Sequence, residues 1–138
     1  MTQLTTSRPE ETADAGRALA GRLAPGTTVA LSGELGAGKT CFVRGLVAGW
    51  GGVPDATSPT FTLLHEYPTP RGPVWHLDLY RVRSAAEVWS AAHDELTGQD
   101  GLVVIEWADL FPEILPDHAV RVHLAAAGEG RRRITIEP

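Results

Sequence analysis

Lysine is almost missing from this 138-residue chain: Lys39 stands alone, and the other eleven basic residues are arginines. Basic charge as a whole is short, with 12 Lys and Arg against 17 Asp and Glu, a formal net charge of −5. A protein that grips nucleic acid by itself shows a basic face, so that class is disfavoured. Acting on nucleic acid through a basic partner stays open. Cysteine is reduced to Cys41. That excludes an internal disulfide and makes a reducing, cytoplasmic setting the expectation. No apolar run approaches the ~20 residues of a membrane span, so no membrane contact is expected. The opening MTQLTTSRPEET lacks a basic segment followed by an apolar one and does not read as a signal peptide. At this length one domain with one core, 1–138, is expected.

What is present is an alternation of helix and strand signals. Pro9, Glu10 and Glu11 open a helix over 9–23, with Ala15, Leu19 and Leu23 on one face and Pro25-Gly26 as the stop. TTVALSG, 27–33, is β-branched and apolar and predicts a buried strand. KTCFVRGLVAGW, 39–50, predicts a helix with Phe42, Leu46 and Trp50 on one face. FTLLHEYPT and VWHLDLYR, on either side of PRG at 70–72, predict an antiparallel strand pair. Ser84 can cap a helix through AAEVWSAAHDEL, and GLVVIEW, 101–107, is a second buried strand. DLFPEILP is at most a short helix, and AVRVHLAAA and RRRITIEP alternate on either side of GEG as a C-terminal hairpin. The fold class is α/β: a P-loop NTPase-like mixed sheet with a parallel core, antiparallel hairpins and flanking helices.

Gly33-Glu34-Leu35-Gly36-Ala37-Gly38-Lys39-Thr40 matches G-x-x-x-x-G-K-[ST] at every position. Glycines let the backbone curl until successive N–H groups point at phosphate oxygens. The helix that follows presents its positive end to the same anion. Lys39 is expected to reach the β- and γ-phosphates, and Thr40 to offer a hydroxyl to Mg²⁺. The lone lysine then has a reason: a compact ammonium threads a tight loop where a forked guanidinium does not fit. Guanine readers use an N-K-x-D segment, which needs a second lysine, so ATP is favoured as the nucleotide.

Such a loop needs an acid at the end of a neighbouring buried strand, to hold Mg²⁺ directly or through water. Glu106, closing LVVIE, fits best, and Asp78 in WHLDLYR is second. The plainer readings are a surface acid at a strand end for Glu106, and a structural acid paired with Arg81 or His76 for Asp78. TSPTFT, 57–62, is hydroxyl-rich and is expected either to sense the γ-phosphate, as switch loops do, or to be an ordinary polar loop. The histidines are scattered, without metal-ligand spacing. Cys41 is expected to pack, and Arg131 to Arg133 to lie on a solvated edge strand.

Taken in order, SGELGAGKT, TSPTFTL, HLDLYR and VIEWAD resemble the TsaE (YjeE) family, P-loop ATPases of bacterial threonylcarbamoyladenosine (t6A) tRNA modification. The resemblance runs from EET at 10–12 to the terminal hairpin. It implies phosphate binding by residues 33–41, Mg²⁺ at Thr40, and a switch-like role for Thr60. It also implies Asp78 and Glu106 as catalytic and metal-associated acids, with Trp107 in the segment of Glu106. Cys41 stands where the family usually has Thr, and IEWAD replaces a more usual Pro-Glu or Ala-Glu ending. The implied partner is a TsaB–TsaD type complex, with tRNA reached only through it, and the implied activity is partner-dependent ATP hydrolysis. A small-molecule or nucleoside kinase and a nucleotide-sensing adaptor are the alternatives.

Overall fold

Pro9 opens α1 (Pro9–Ala20), and Glu11 holds its first turn by accepting the Ser7 amide at 2.7 Å. That hydrogen bond, aided by Arg8, keeps the Glu11 carboxyl below its ordinary range. The computed structural model describes residues 1–34, 36–53, 63–98 and 100–138. The helix stops three residues short of the expected 23. Beyond Gly21 the amides of Arg22 and Leu23 bond three residues back, to Leu19 and Ala20, in a tightened final turn. Leu23 still packs against the core.

The strands are β1 (Thr2–Thr6), β2 (Thr28–Gly33), β3 (Leu64–Tyr67), β4 (Val74–Asp78), β5 (Leu102–Glu106), β6 (Val120–Ala126) and β7 (Arg132–Glu137). They form one sheet in the order β1-β7-β6-β2-β5-β4-β3. β4, β5, β2 and β6 are mutually parallel, while β3, β7 and β1 add antiparallel pairs. β1 was not expected. It pairs along β7, with Leu4 opposite Ile134, and so places β7 inside the sheet. Arg131 to Arg133 therefore do not belong to an edge strand: Arg131 and Arg133 are exposed, and Arg132 is half-buried.

α1 and α2 (Lys39–Trp50) cover one face of the sheet, over Val29, Leu31, Val104, Leu124 and Ile134. The two helices touch almost backbone to backbone. A Cβ on Gly45 would lie 1.8 Å from the Ala13 carbonyl oxygen, and one on Gly16 would lie 2.3 Å from that of Phe42. Arg71, in the β3–β4 turn, lies 3.8 Å from the centre of the Trp50 ring and donates to the Leu23 and Ala20 carbonyls at 3.0 and 3.4 Å. It thereby closes the C-terminal end of α1, reaching the Leu23 carbonyl beyond the helix and adding a second donor to that of Ala20.

α3 (Ala85–Thr97) covers Ile105, Leu77 and Val103 on the other face, together with two 3-10 turns, Ala108–Leu110 and Pro112–Ile114. Ser84 caps α3 as expected, accepting the Glu87 amide at 3.2 Å. At Ala92 the backbone leaves the helical region (φ −138°, ψ 25°), a kink that the amphipathic pattern did not announce.

Candidate functional site

β2 runs up the centre of the sheet and delivers Gly33 to the C-terminal end of the parallel strands, where ligands bind in open α/β sheets. The chain then turns through Gly36 (φ +78°) and Gly38 (φ +97°), a conformation that only glycine adopts without strain. Gly38 is the N-cap of α2, with no side-chain cap and no acid in the first turn. The electropositive end of α2 thus faces the loop without a competing carboxylate of its own. Thr12, Leu124 and Arg132 back the loop behind Gly38, 3.5–3.7 Å from where a Cβ would sit.

Lys39, the first residue of α2, is only 6% exposed. Its ammonium donates to the Gly33 carbonyl and lies 3.4 Å from the centre of the Trp107 ring. Burial lowers its pKa, and the charges of Glu106, Asp78 and Asp109 oppose that shift.

Pairing in register sets Leu31, Glu106 and Asp78 in one row at the top of the sheet. Side chains alternate along each strand, so this row and the row two positions below, Val29, Val104 and His76, share the face covered by α1 and α2. Glu106 is 4% exposed and is no surface acid. Its Oε2 lies 2.5 Å from Nε2 of His76, which is also buried. His76 is thus the partner of Glu106 and not of Asp78. Asp78 accepts the Tyr80 amide at 3.0 Å. Burial pushes its carboxyl up, the Tyr80 amide counters this, nearby Glu106 adds to it, and His76 and Lys39 oppose it.

Immediately after Glu106 the backbone reverses through Trp107 in the left-handed region (φ 60°, ψ 34°), a strain of ~1–3 kcal/mol for a bulky residue. The reversal lays the indole over Lys39 and against Tyr80, with ring centres 4.9 Å apart.

The expected residues therefore converge: Gly33, Glu34, Gly36, Ala37, Gly38, Lys39, Thr40 and Cys41 form the loop and the start of α2, with Asp78 and Glu106 beside them. Thr40 is exposed and the Cys41 thiol is free and half-buried. Leu35 and the 57–62 stretch with Thr60 lie outside the described residues. Residue-level reading named His76 only as a possible partner of Asp78 and missed its contact with Glu106, the packing of Trp107 on Lys39, and Asp109 within range of the ammonium. For His76 a signal existed, since H-x-D on a strand puts both side chains on one face.

The fold and site define an α/β protein with a mixed seven-stranded sheet and a phosphate-loop motif at the end of its parallel core. The family model of the threonylcarbamoyl adenosine biosynthesis protein TsaE matches residues 6–134. The chain belongs to that family. It is 39% identical over 127 residues to the tRNA threonylcarbamoyladenosine biosynthesis protein TsaE of Treponema pallidum, covering 92% of this chain and 93% of that one. It is 37% identical to the TsaE protein of Bacillus subtilis over 131 residues, 95% of this chain and 82% of that one. The crystal structure of Bacillus subtilis YdiB superposes with a TM-score of 0.79 at 32% identity, covering 98% of this chain and 83% of that one. Among the described residues no helix is long and apolar enough to cross a membrane.

Proposed function

We propose that this chain binds and hydrolyses ATP with Mg²⁺ as the nucleotide-driven component of t6A formation in the cytoplasm. It works on a TsaB–TsaD type complex that supplies the tRNA contact. The observation that carries the reading is the placement of one buried ammonium, Lys39, between the mouth of the Gly33–Gly38 loop and a row of two carboxylates. A buried ammonium is stabilised by anions around it. Moving from the Gly33 carbonyl to a phosphate oxygen replaces a neutral acceptor with a charged one, a hydrogen bond worth about 1.5–3 kcal/mol.

The donor set also fits a nucleotide-borne metal. Among the described residues no group of three or more His, Cys, Asp or Glu side chains is arranged to hold a metal alone. Mg²⁺ keeps waters and substrate phosphates in its shell and needs only one or two carboxylates. Thr40, Glu106 and Asp78 are the residues that would hold it, and it would neutralise charge developing on the transferred phosphoryl group. Lys39 orients the phosphates, Glu106 and Asp78 orient the cation or the attacking water, and the loop amides fix the chain of anions.

Acceleration by the partner would follow one of two routes. An arginine finger supplied in trans is worth ~10³–10⁵ in related enzymes, and ordering of a switch loop is the other route. Calorimetry with ATP, followed by hydrolysis assays with and without a TsaB–TsaD type complex, tests the proposal. Tight binding, a slow basal rate and a partner-dependent change in that rate are expected. Fast hydrolysis without partners, or transfer to a small-molecule acceptor, would overturn it.

A further inference from the structure

We infer that His76 is a positioning residue for Glu106: an imidazole protonated on Nε2 that ties down one oxygen of the Glu106 carboxylate and leaves the other for the chemistry. The contact stands on geometry alone, while its consequence for turnover rests on the ATPase reading above.

Nε2 of His76 and Oε2 of Glu106 are 2.5 Å apart, with side chains 2% and 5% exposed. The other ring nitrogen, Nδ1, is buried and has no hydrogen-bond partner among the described residues. A proton there would be a buried donor with no acceptor, which native structures avoid. A bare lone pair in the same place costs less. The ring therefore carries its proton on Nε2 and donates it to the carboxylate. Tyr67 lies alongside the imidazole at 27° between planes and 6.5 Å between centres, and His65 stacks on Tyr67 at 5.0 Å.

Register makes this contact diagonal. His76 lies opposite Val104, two positions below Glu106, and reaches up the sheet toward Glu106. The consequence is selective. Among the described residues the hydrogen-bond partner of Glu106 is His76 and not Lys39, although Lys39 feels the Glu106 charge. Oε2 of Glu106 is held by His76 while the Lys39 ammonium donates to the Gly33 carbonyl, so the two charged groups sit on separate partners. The contact supports Glu106 from outside the reacting atoms, as hydrogen bonds behind a metal-binding carboxylate do.

Three variants separate positioning from packing. His76→Gln keeps an N–H near the Nε2 position. His76→Asn places its amide near Nδ1, short of Glu106. His76→Leu removes both. In partner-stimulated hydrolysis, His76→Leu and His76→Asn are expected to lower kcat at least ~10-fold with the KM for ATP within about twofold, while His76→Gln stays within about threefold of wild type. In a Glu106→Gln background, His76→Leu should cost less than about twofold more, because the two residues act as one unit.

Nitrogen-detected NMR of the full chain without nucleotide gives a readout independent of turnover. It should show Nε2 protonated and Nδ1 bare. A proton on Nδ1, equal kcat in all three variants, or additive losses in the double variant would each overturn the inference. If wild type hydrolyses no ATP even with partners, the ATPase reading fails, and the NMR result still decides the contact.

Discussion

The layer of α1 and α2 and the top of the sheet above it follow opposite rules. In the layer, Gly16 and Gly45 let two helices meet at backbone distance, and Arg71 closes the open end of α1. A few ångströms away the same α2 begins with a buried ammonium, two carboxylates in one row and a tryptophan in a left-handed conformation. Burial there opposes the charged forms of Lys39 and Asp78. The rigid layer is also what makes the strained end useful, because α2 transmits the position of the core to Lys39.

The comparison can be broken from the packing side first. Gly45→Ala should lower stability by ~3 kcal/mol or more, since its Cβ would meet the Ala13 carbonyl at 1.8 Å and neither backbone can yield. Chemical denaturation measures this, and an unchanged midpoint would mean that the helices are not packed as described. Lys39→Ala is next, with ATP affinity expected to fall by about 2–3 kcal/mol, roughly 30- to 150-fold, as the charged contact to phosphate is lost. Lys39→Arg should fail as well, because the guanidinium is too wide for the loop. Wild-type affinity in either variant, by calorimetry, would sink the phosphate-loop reading.

Smaller effects sharpen the contrast. Glu106→Ala and Asp78→Ala should each retain nucleotide binding but lose at least about tenfold in partner-stimulated turnover, equivalent to ~1.4 kcal/mol of barrier. Arg71→Ala, in the packing layer, should do the reverse. It should cost about 1 kcal/mol of stability through lost carbonyl contacts and ring stacking, with hydrolysis unchanged.

Asp78→Asn is expected to have the smallest effect, and its sign is the informative part. Burial raises the Asp78 carboxyl pKa in the folded chain, so the native state holds this proton more firmly than the unfolded chain does. Stability tied to this group is therefore present at low pH. It is lost as pH rises from the ordinary aspartate range through the raised folded value. In nucleotide-free buffer, Asp78→Asn should melt slightly higher than wild type at neutral pH, with the gap closing as pH falls through that window. A variant that melts lower at neutral pH would show that Asp78 stabilises the fold.

How much of this was legible depends on the range of the interaction. α2 spans Lys39–Trp50 as its apolar spacing and flanking glycines require, and Ser84 caps α3 where its hydroxyl can reach the Glu87 amide. β5 ends on Glu106 because four apolar residues in a row bury both faces of a strand. All of these are local facts of period, capping and turn chemistry, and the glycine spacing of residues 33–38 with Lys39 belongs among them.

The tertiary structure alone decided the rest. β1 is a short threonine-rich segment that becomes a strand only because β7, from the far end of the chain, offers it a partner. The same pairing removes Arg131 to Arg133 from the sheet edge. His76 and Glu106 are separated by 30 positions and meet because β4 and β5 run parallel in one register. Trp107 reaches Lys39 only after a left-handed reversal that its side chain disfavours. Local pattern determined which residues could do chemistry, because helix and strand periods depend on neighbours along the chain. Which of them touch was decided by strand order and register, which depend on burial summed over the whole sheet.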